Sequence, residues 1–200
     1  MTEPCWAADG SDAAVAAYVA ATVARPGPKL LALPGGTTPA PIFARLSAVL
    51  LPWDKVTIVP GDERLVRHDN PASNVGALRA AFGATGATIR PLSPDLPPSR
   101  FDLVWLGMGG DGHIASLFPN CDPDPAAAAS VIRVSPDPLP PEAPFERLTL
   151  NLAAIANSDA VILVIRGAAK RALMEAAAAG ENDLPVARLL RVAPVTVFWS

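Results

Sequence analysis

Cysteine is scarce in this chain, with two in 200 residues, Cys5 and Cys121, in no metal-ligand or disulfide spacing. That excludes a disulfide-stapled scaffold and predicts two reduced thiols in the cytoplasm. No apolar run reaches the ~20 residues that a membrane-spanning helix needs. The N-terminus carries acid and no basic leader, so no signal peptide is expected. Basic runs are missing as well, and the formal net charge of −3 gives no electrostatic reason to expect nucleic acid. No internal repeat is visible. What remains is a globular composition, 50% hydrophobic and 18% charged, long enough for one good-sized core and too short for two comfortable domains. A single domain over residues 1–200 is expected. The 23 prolines gather mostly in connections, notably 91–98 and 136–144, which read as stiff surface loops.

The pattern along the chain alternates. Asp12 is placed to cap a first helix over 13–24, which Pro26 and Gly27 end. Apolar runs at 29–33, 56–59, 101–106, 160–165 and 195–199 read as strands, with shorter ones at 87–91, 131–134 and 147–150. Between them helices are predicted at about 40–50, 74–82, 152–155 and 168–179, with a last helical turn or two from Pro185. Gly180 is a stop signal for the fifth helix in that series. Strands that are uniformly apolar and alternate with helices predict an α/β fold whose mainly parallel sheet is covered by helices on both faces.

Four segments at strand ends carry chemistry. Residues 34–39, PGGTTP, join a strand to a helix start, an arrangement that offers free backbone N–H groups and a positive helix end to a phosphate. The plain alternative is an ordinary strand-to-helix turn, and the turn lacks the lysine of a Walker loop. Residues 60–66, PGDERLV, place Asp62, Glu63 and Arg64 at the end of the next strand, where three charges would face the same crevice. Arg64 suits a bidentate pair with phosphate, whereas for this segment taken alone a solvated loop or a local Asp–Arg ion pair is the better reading. His68 reads as a surface histidine without a role.

The third segment, residues 101–119, FDLVWLGMGGDGHIASLFP, is the centre of the chain. A buried strand runs into a turn holding Gly107, Gly109, Gly110 and Gly112, with Asp111 and His113 among them, and a short amphipathic helical segment, 114–118, ends at Pro119. Its glycines formally match a dinucleotide fingerprint. The strand lies in mid-chain, however, the following helix is cut short, and an aspartate between the glycines would face a pyrophosphate. A structural histidine bonded to a carbonyl is the plain reading of His113, and a turn shared with Asp111 favours acid–base work instead. The fourth segment, 166–170, RGAAK, puts Lys170 in the first turn of a helix, where its charge opposes the dipole unless an anion sits there.

Taken in order, these segments resemble the 6-phosphogluconolactonase family, within the superfamily that includes glucosamine-6-phosphate deaminase. The resemblance runs over about residues 34–191, and GMGGDGHIASLFP is its most specific part. PGGTTP is similar to the family's phosphate turn, with Pro34 where a serine is common, and GDERLV followed by Ser73-Asn74 is similar to its aspartate-glutamate-arginine and serine-asparagine pairs. RGAAK and Leu184-Pro185 match its last two motifs.

The resemblance implies a modified Rossmann-type fold and hydrolysis of 6-phosphoglucono-δ-lactone without metal or cofactor, by a protein expected to be a monomer. It assigns His113 as general base with Asp111 orienting it. Gly35, Gly36, Thr37, Arg64 and Lys170 would hold phosphate. Asp62 would bind substrate, Asn74 would either support Arg64 or touch the sugar, and backbone N–H groups near Gly109 and Gly110 would hold the oxyanion.

The deaminase-like pattern continues differently after the isoleucine-alanine, with a glutamate that assists ring opening. Phe118 stands before Pro119 here and cannot ionise, and Arg64 stands where that pattern has tyrosine. A sugar-phosphate sensor without chemistry would be expected to have lost the acid–histidine pair or gained a DNA-binding segment. The chain is somewhat short for the family, and the proline stretches at 94–98 and 136–144 read as trimmed or rebuilt loops at the pocket rim.

Overall fold

A computed structural model describes residues 3–95, 99–120, 127–135 and 144–200. Parts of both proline-rich connections, 96–98 and 136–143, and the stretch 121–126 with Cys121 therefore lie outside the described residues. In chain order the elements are β1 (Cys5–Trp6), α1 (Asp12–Val23), β2 (Lys29–Leu33), α2 (Ala40–Ser47), β3 (Val56–Pro60), β4 (Asp62–Arg64), α3 (Asn74–Phe82), β5 (Thr88–Ile89) and β6 (Leu103–Gly107). They continue as β7 (Val131–Val134), β8 (Arg147–Leu150), α4 (Leu152–Ala156), β9 (Val161–Ile165), α5 (Ala168–Ala179), α6 (Pro185–Val192) and β10 (Val195–Trp199).

Seven strands form one sheet in the order β1-β10-β9-β6-β2-β3-β5, and every pairing in it is parallel. Side chains alternate across a strand, and the apolar runs divide accordingly. Leu31, Leu33, Leu103, Trp105, Ile162 and Val164 face one core with α1, α2 and α3. Ala32, Val104, Leu106, Leu163 and Ile165 face the other, under α4, α5 and α6. A strand buried on both faces needs no polar alternation, which is why these segments read as continuous apolar runs. Among the described residues no helix is long and apolar enough to cross a membrane.

Four features depart from the sequence expectation. Residues 62–64 continue from β3 into a second, antiparallel sheet of order β4-β8-β7, so the motif after β3 is a strand and not a turn. The 114–118 segment is not helical. Ile114 bridges back to Met108 and on to Leu117, and Ala115 takes a left-handed φ of 48°. Ile114 and Leu117 are fully buried, so core contacts outweigh helical preference there. Finally, α1 is capped by Ser11 and not Asp12, because the Ser11 hydroxyl accepts from the Ala14 N–H at 3.2 Å while Asp12 is already in the helix. Ser11→Ala is expected to lower stability by about 1 kcal/mol, the usual worth of an N-cap, in a chemical denaturation measurement. A helix at 40–50 is also shorter than expected, ending at Ser47 ahead of Pro52.

The strand order places the site. Chain order reverses between β2 and β6, since β3 and β5 build outwards from β2 while β9 and β10 build outwards from β6. A crevice opens beyond the carboxyl ends of such strands.

Candidate active site

The turn after β6 and the turn after β2 emerge side by side at that reversal. His113 Nδ1 lies 2.6 Å from Asp111 Oδ1, and the His113 backbone N–H also donates to that oxygen at 3.2 Å. An ionised carboxylate on Nδ1 selects the tautomer that carries its proton there and leaves Nε2 free as a base. Burial alone would push the Asp111 carboxyl up. The His113 N–H, the positive charge of its ring and the ring hydrogen bond outweigh that and hold Asp111 below the ordinary carboxylate range. The imidazole packs directly on Gly109, where an added Cβ would stand 2.2 Å from its Cε1 and Nδ1. Glycine is required there by contact, not by backbone angle. On its other side the ring meets the buried Phe118, with centroids 4.6 Å apart.

His113, about a third exposed, stands on the wall of a cavity of about 540 Å³. Gly35, Gly36 and Thr37 form another wall, with Asp62, Arg64, Asn74 and Lys170 around the remainder. A smaller recess of about 110 Å³ shares the residue 34–39 turn and Lys170. Among the described residues no hydrogen bond within the chain uses the N–H groups of Gly35, Gly36, Thr37 or Thr38. Those donors, ahead of α2, are available to an anion. Arg166 also lines the small recess but is engaged by Asp12 at 2.7 Å.

Arg64 is held in place by its Nη1, which donates to the Ala72 carbonyl at 2.7 Å and to Asn74 Oδ1 at 3.3 Å, while its buried Nε has no partner among the described residues. Asn74 in turn lies against Gly35, whose missing Cβ would fall 1.8 Å from Asn74 Oδ1. The arginine is therefore joined to the residue 34–39 turn through Asn74. Asp62 is buried, accepting from Ser116 Oγ at 2.5 Å and from Asn74 Nδ2 at 3.2 Å.

Two expectations need correction here. Glu63 does not face the crevice. Neighbouring residues of a strand alternate, and its carboxylate points away to accept from the N–H groups of Arg64, Asn74 and Val75 at 2.8 Å each and from Ser73 Oγ at 3.0 Å. It caps the start of α3. The Gly109 N–H is spent within the turn, donating to the His113 carbonyl at 2.9 Å, and so does not hold an oxyanion. Gly110, at the exposed tip, does not line the cavity, whereas Gly109 does. His68 is exposed, with Nδ1 3.3 Å from Arg79 Nη1.

Arg147 also lines the cavity, although no local motif marked it. It opens β8 and pairs directly across from Arg64, as Thr149 pairs across from Asp62. Directly opposed residues share a face, so both guanidinium groups and the Asp62 carboxylate are on one side of this sheet. The one available signal was the alternation of RLTL, which puts an arginine and a threonine on the same face.

A seven-stranded parallel sheet with an acid–imidazole pair and a glycine-rich turn side by side at its switch point defines an α/β enzyme-like site. The family model for glucosamine-6-phosphate isomerases/6-phosphogluconolactonase matches residues 7–93 and 84–199, and the chain belongs to that family. It is 38% identical to a 6-phosphogluconolactonase from Caulobacter vibrioides, over 94% of this chain and 92% of that protein. It is 36% identical to one from Mesorhizobium japonicum, over 93% and 87%. Among solved structures, a putative 6-phosphogluconolactonase from Neisseria gonorrhoeae superposes with a TM-score of 0.82 at 28% identity, covering 100% of this chain and 99% of that one. A monomeric glucosamine-6-phosphate deaminase shares the fold at a TM-score of 0.78 and 19% identity.

Proposed function

We propose that this chain hydrolyses 6-phospho-D-glucono-1,5-lactone to 6-phosphogluconate, as the cytoplasmic lactonase of the pentose phosphate pathway. The observation that carries the reading is the single cavity with an oriented imidazole on one wall and, on the others, Arg64, Lys170 and backbone donors that make no hydrogen bond among the described residues. His113 Nε2 takes a proton from water as the water oxygen bonds to the lactone carbonyl carbon. The carbonyl electron pair moves onto its oxygen. When it returns, the bond from that carbon to the ring oxygen breaks, and the ring oxygen takes the proton from His113. The acid so formed then ionises. Asp111 keeps the ring oriented and offsets its charge while it holds the proton.

Gly35, Gly36 and Thr37 with Arg64 and Lys170 hold the phosphate, which fixes the distant carbonyl relative to the water. The reaction so written uses no metal or organic cofactor. Phe118, packed on the imidazole, offers no ionisable group where a ring-opening deaminase would need one. Offering the lactone and glucosamine 6-phosphate separately tests the class. Acid release from the first without ammonia from the second is expected, and ammonia release would overturn it. Arg64→Ala is expected to raise KM for the phosphorylated lactone at least about tenfold with a smaller change in kcat, since an anchor used equally before and during reaction acts on binding. Equal turnover of a lactone without phosphate would remove the clamp.

A further inference from the structure

Gly112 is the one residue between the acid and the imidazole, and its φ of 80° is the bend that brings Asp111 Oδ1 onto His113 Nδ1. Glycine takes positive and negative φ about as readily, so nothing in its own backbone enforces that bend. Support has to come from its surroundings. The peptide unit joining Gly112 to His113 is held at both ends. Its N–H, that of His113, donates to Asp111 Oδ1 at 3.2 Å. Its carbonyl, that of Gly112, accepts from the Val186 N–H at 3.2 Å. Val186 lies in the first turn of α6, where N–H groups have no partner within the helix. No side chain hydrogen bond caps that end, and Pro185 brings no donor.

A side chain completes the support. A Cβ added to Gly112 would stand 2.7 Å from Leu184 Cδ1 and 3.0 Å from Leu184 Cβ, so Leu184 fills the open side of that glycine. Gly109 is filled in the same way by the imidazole itself. Leu184 is anchored in turn. Its N–H donates to Asn182 Oδ1 at 3.3 Å, it packs on the core under α4, α5 and α6, and the residues that follow it, Pro185, Val186 and Ala187, are buried. Leu184 does not line the cavity, so it has no route to the substrate except through the turn.

We propose that Leu184 is a positioning residue, whose side chain holds the Gly112 bend from outside the cavity and so sets the angle at which His113 meets the lactone carbonyl. This rests on His113 being the base of the proposed lactonase. Truncating Leu184 leaves the bend free to relax, and a shift of about 1 Å at a reacting group costs up to about a hundredfold in rate.

Turnover of the phosphorylated lactone by folded variants, checked by circular dichroism, tests it. Leu184→Ala is expected to lose about ten- to a hundredfold in kcat with KM within about twofold of wild type. Leu184→Met, which refills most of the volume, is expected to recover most of that loss, and Leu184→Val to fall between the two. Gly112→Ala meets both backbone strain and the Leu184 side chain, and only the second is relieved by truncating Leu184. Adding Leu184→Ala to Gly112→Ala is therefore expected to cost less than Leu184→Ala costs alone. A second readout is independent of activity. The chain has two histidines, and His68→Gln assigns their imidazole NMR signals. The Phe118 ring, 4.6 Å from the His113 ring, displaces the His113 signal. Leu184→Ala is expected to move that signal towards the position of an unconstrained histidine, Leu184→Met to leave it in place, and neither to move His68. Unchanged kcat in Leu184→Ala, a rise confined to KM, a methionine variant no better than alanine, independent losses in the double variant, or an unmoved His113 signal would each overturn the proposal. If wild type fails to hydrolyse the lactone, the proposed reaction falls, and the NMR comparison still decides whether Leu184 sets the imidazole.

Discussion

His113→Ala is expected to fold with an unchanged circular dichroism spectrum and to lose at least about a hundredfold in kcat, the lower end of what a general base contributes. The ring is partly exposed, and its polar contacts stay within its own turn, to Asp111. Removing it therefore leaves the sheet and both cores intact. The lost quantity is the proposed base itself, so KM should move much less than kcat, because the groups proposed to hold the phosphate lie elsewhere in the cavity. A steady-state assay of acid release with the phosphorylated lactone measures both. Near-normal turnover by a correctly folded variant would take the imidazole out of the mechanism, whatever its place beside the cavity.

The second large effect is on stability and belongs to a residue outside the crevice. Glu63→Ala removes a buried carboxylate that accepts four hydrogen bonds, three from backbone N–H groups and one from Ser73. Two of those N–H groups, of Asn74 and Val75, open α3, where a negative charge also meets the positive end of the helix. Each buried donor left without a partner costs about 1–3 kcal/mol, so a loss of about 3 kcal/mol or more is expected. For a chain of this size that is a fall of roughly 6–12 °C in Tm. Because α3 begins at Asn74, which supports Arg64, the variant should also show a raised KM. A melting temperature within about 2 °C of wild type would show that water replaces the carboxylate and that α3 does not depend on it.

These two residues differ in how plainly the chain displays them. His113 is legible from the order of residues alone, since the acid, the imidazole and the glycines that let the ring lie against the backbone fall within one short segment. The glycine-rich turn at residues 34–39 is legible for the same reason, lying between a strand and a helix start. The parallel sheet is read from runs such as VILVI at residues 161–165, because a strand covered on both faces has no polar side to interrupt it. Glu63 is misread because three adjacent charges look alike in a string, and strand alternation that sends the middle one to the other face appears only once β4 is known to be a strand.

The chain's own order of residues determined the general architecture and the imidazole with its turn, since both follow from short-range spacing and from apolar surface that must be buried. Tertiary structure alone decided that a second arginine shares the cavity with that imidazole. The pairing of Arg64 with Arg147 joins residues 83 positions apart by number, 64 and 147, through an antiparallel ladder that no local pattern specifies. Strand pairing is set by which edges meet after the core has formed, and so the second arginine of the cavity wall belongs to the fold and not to any motif.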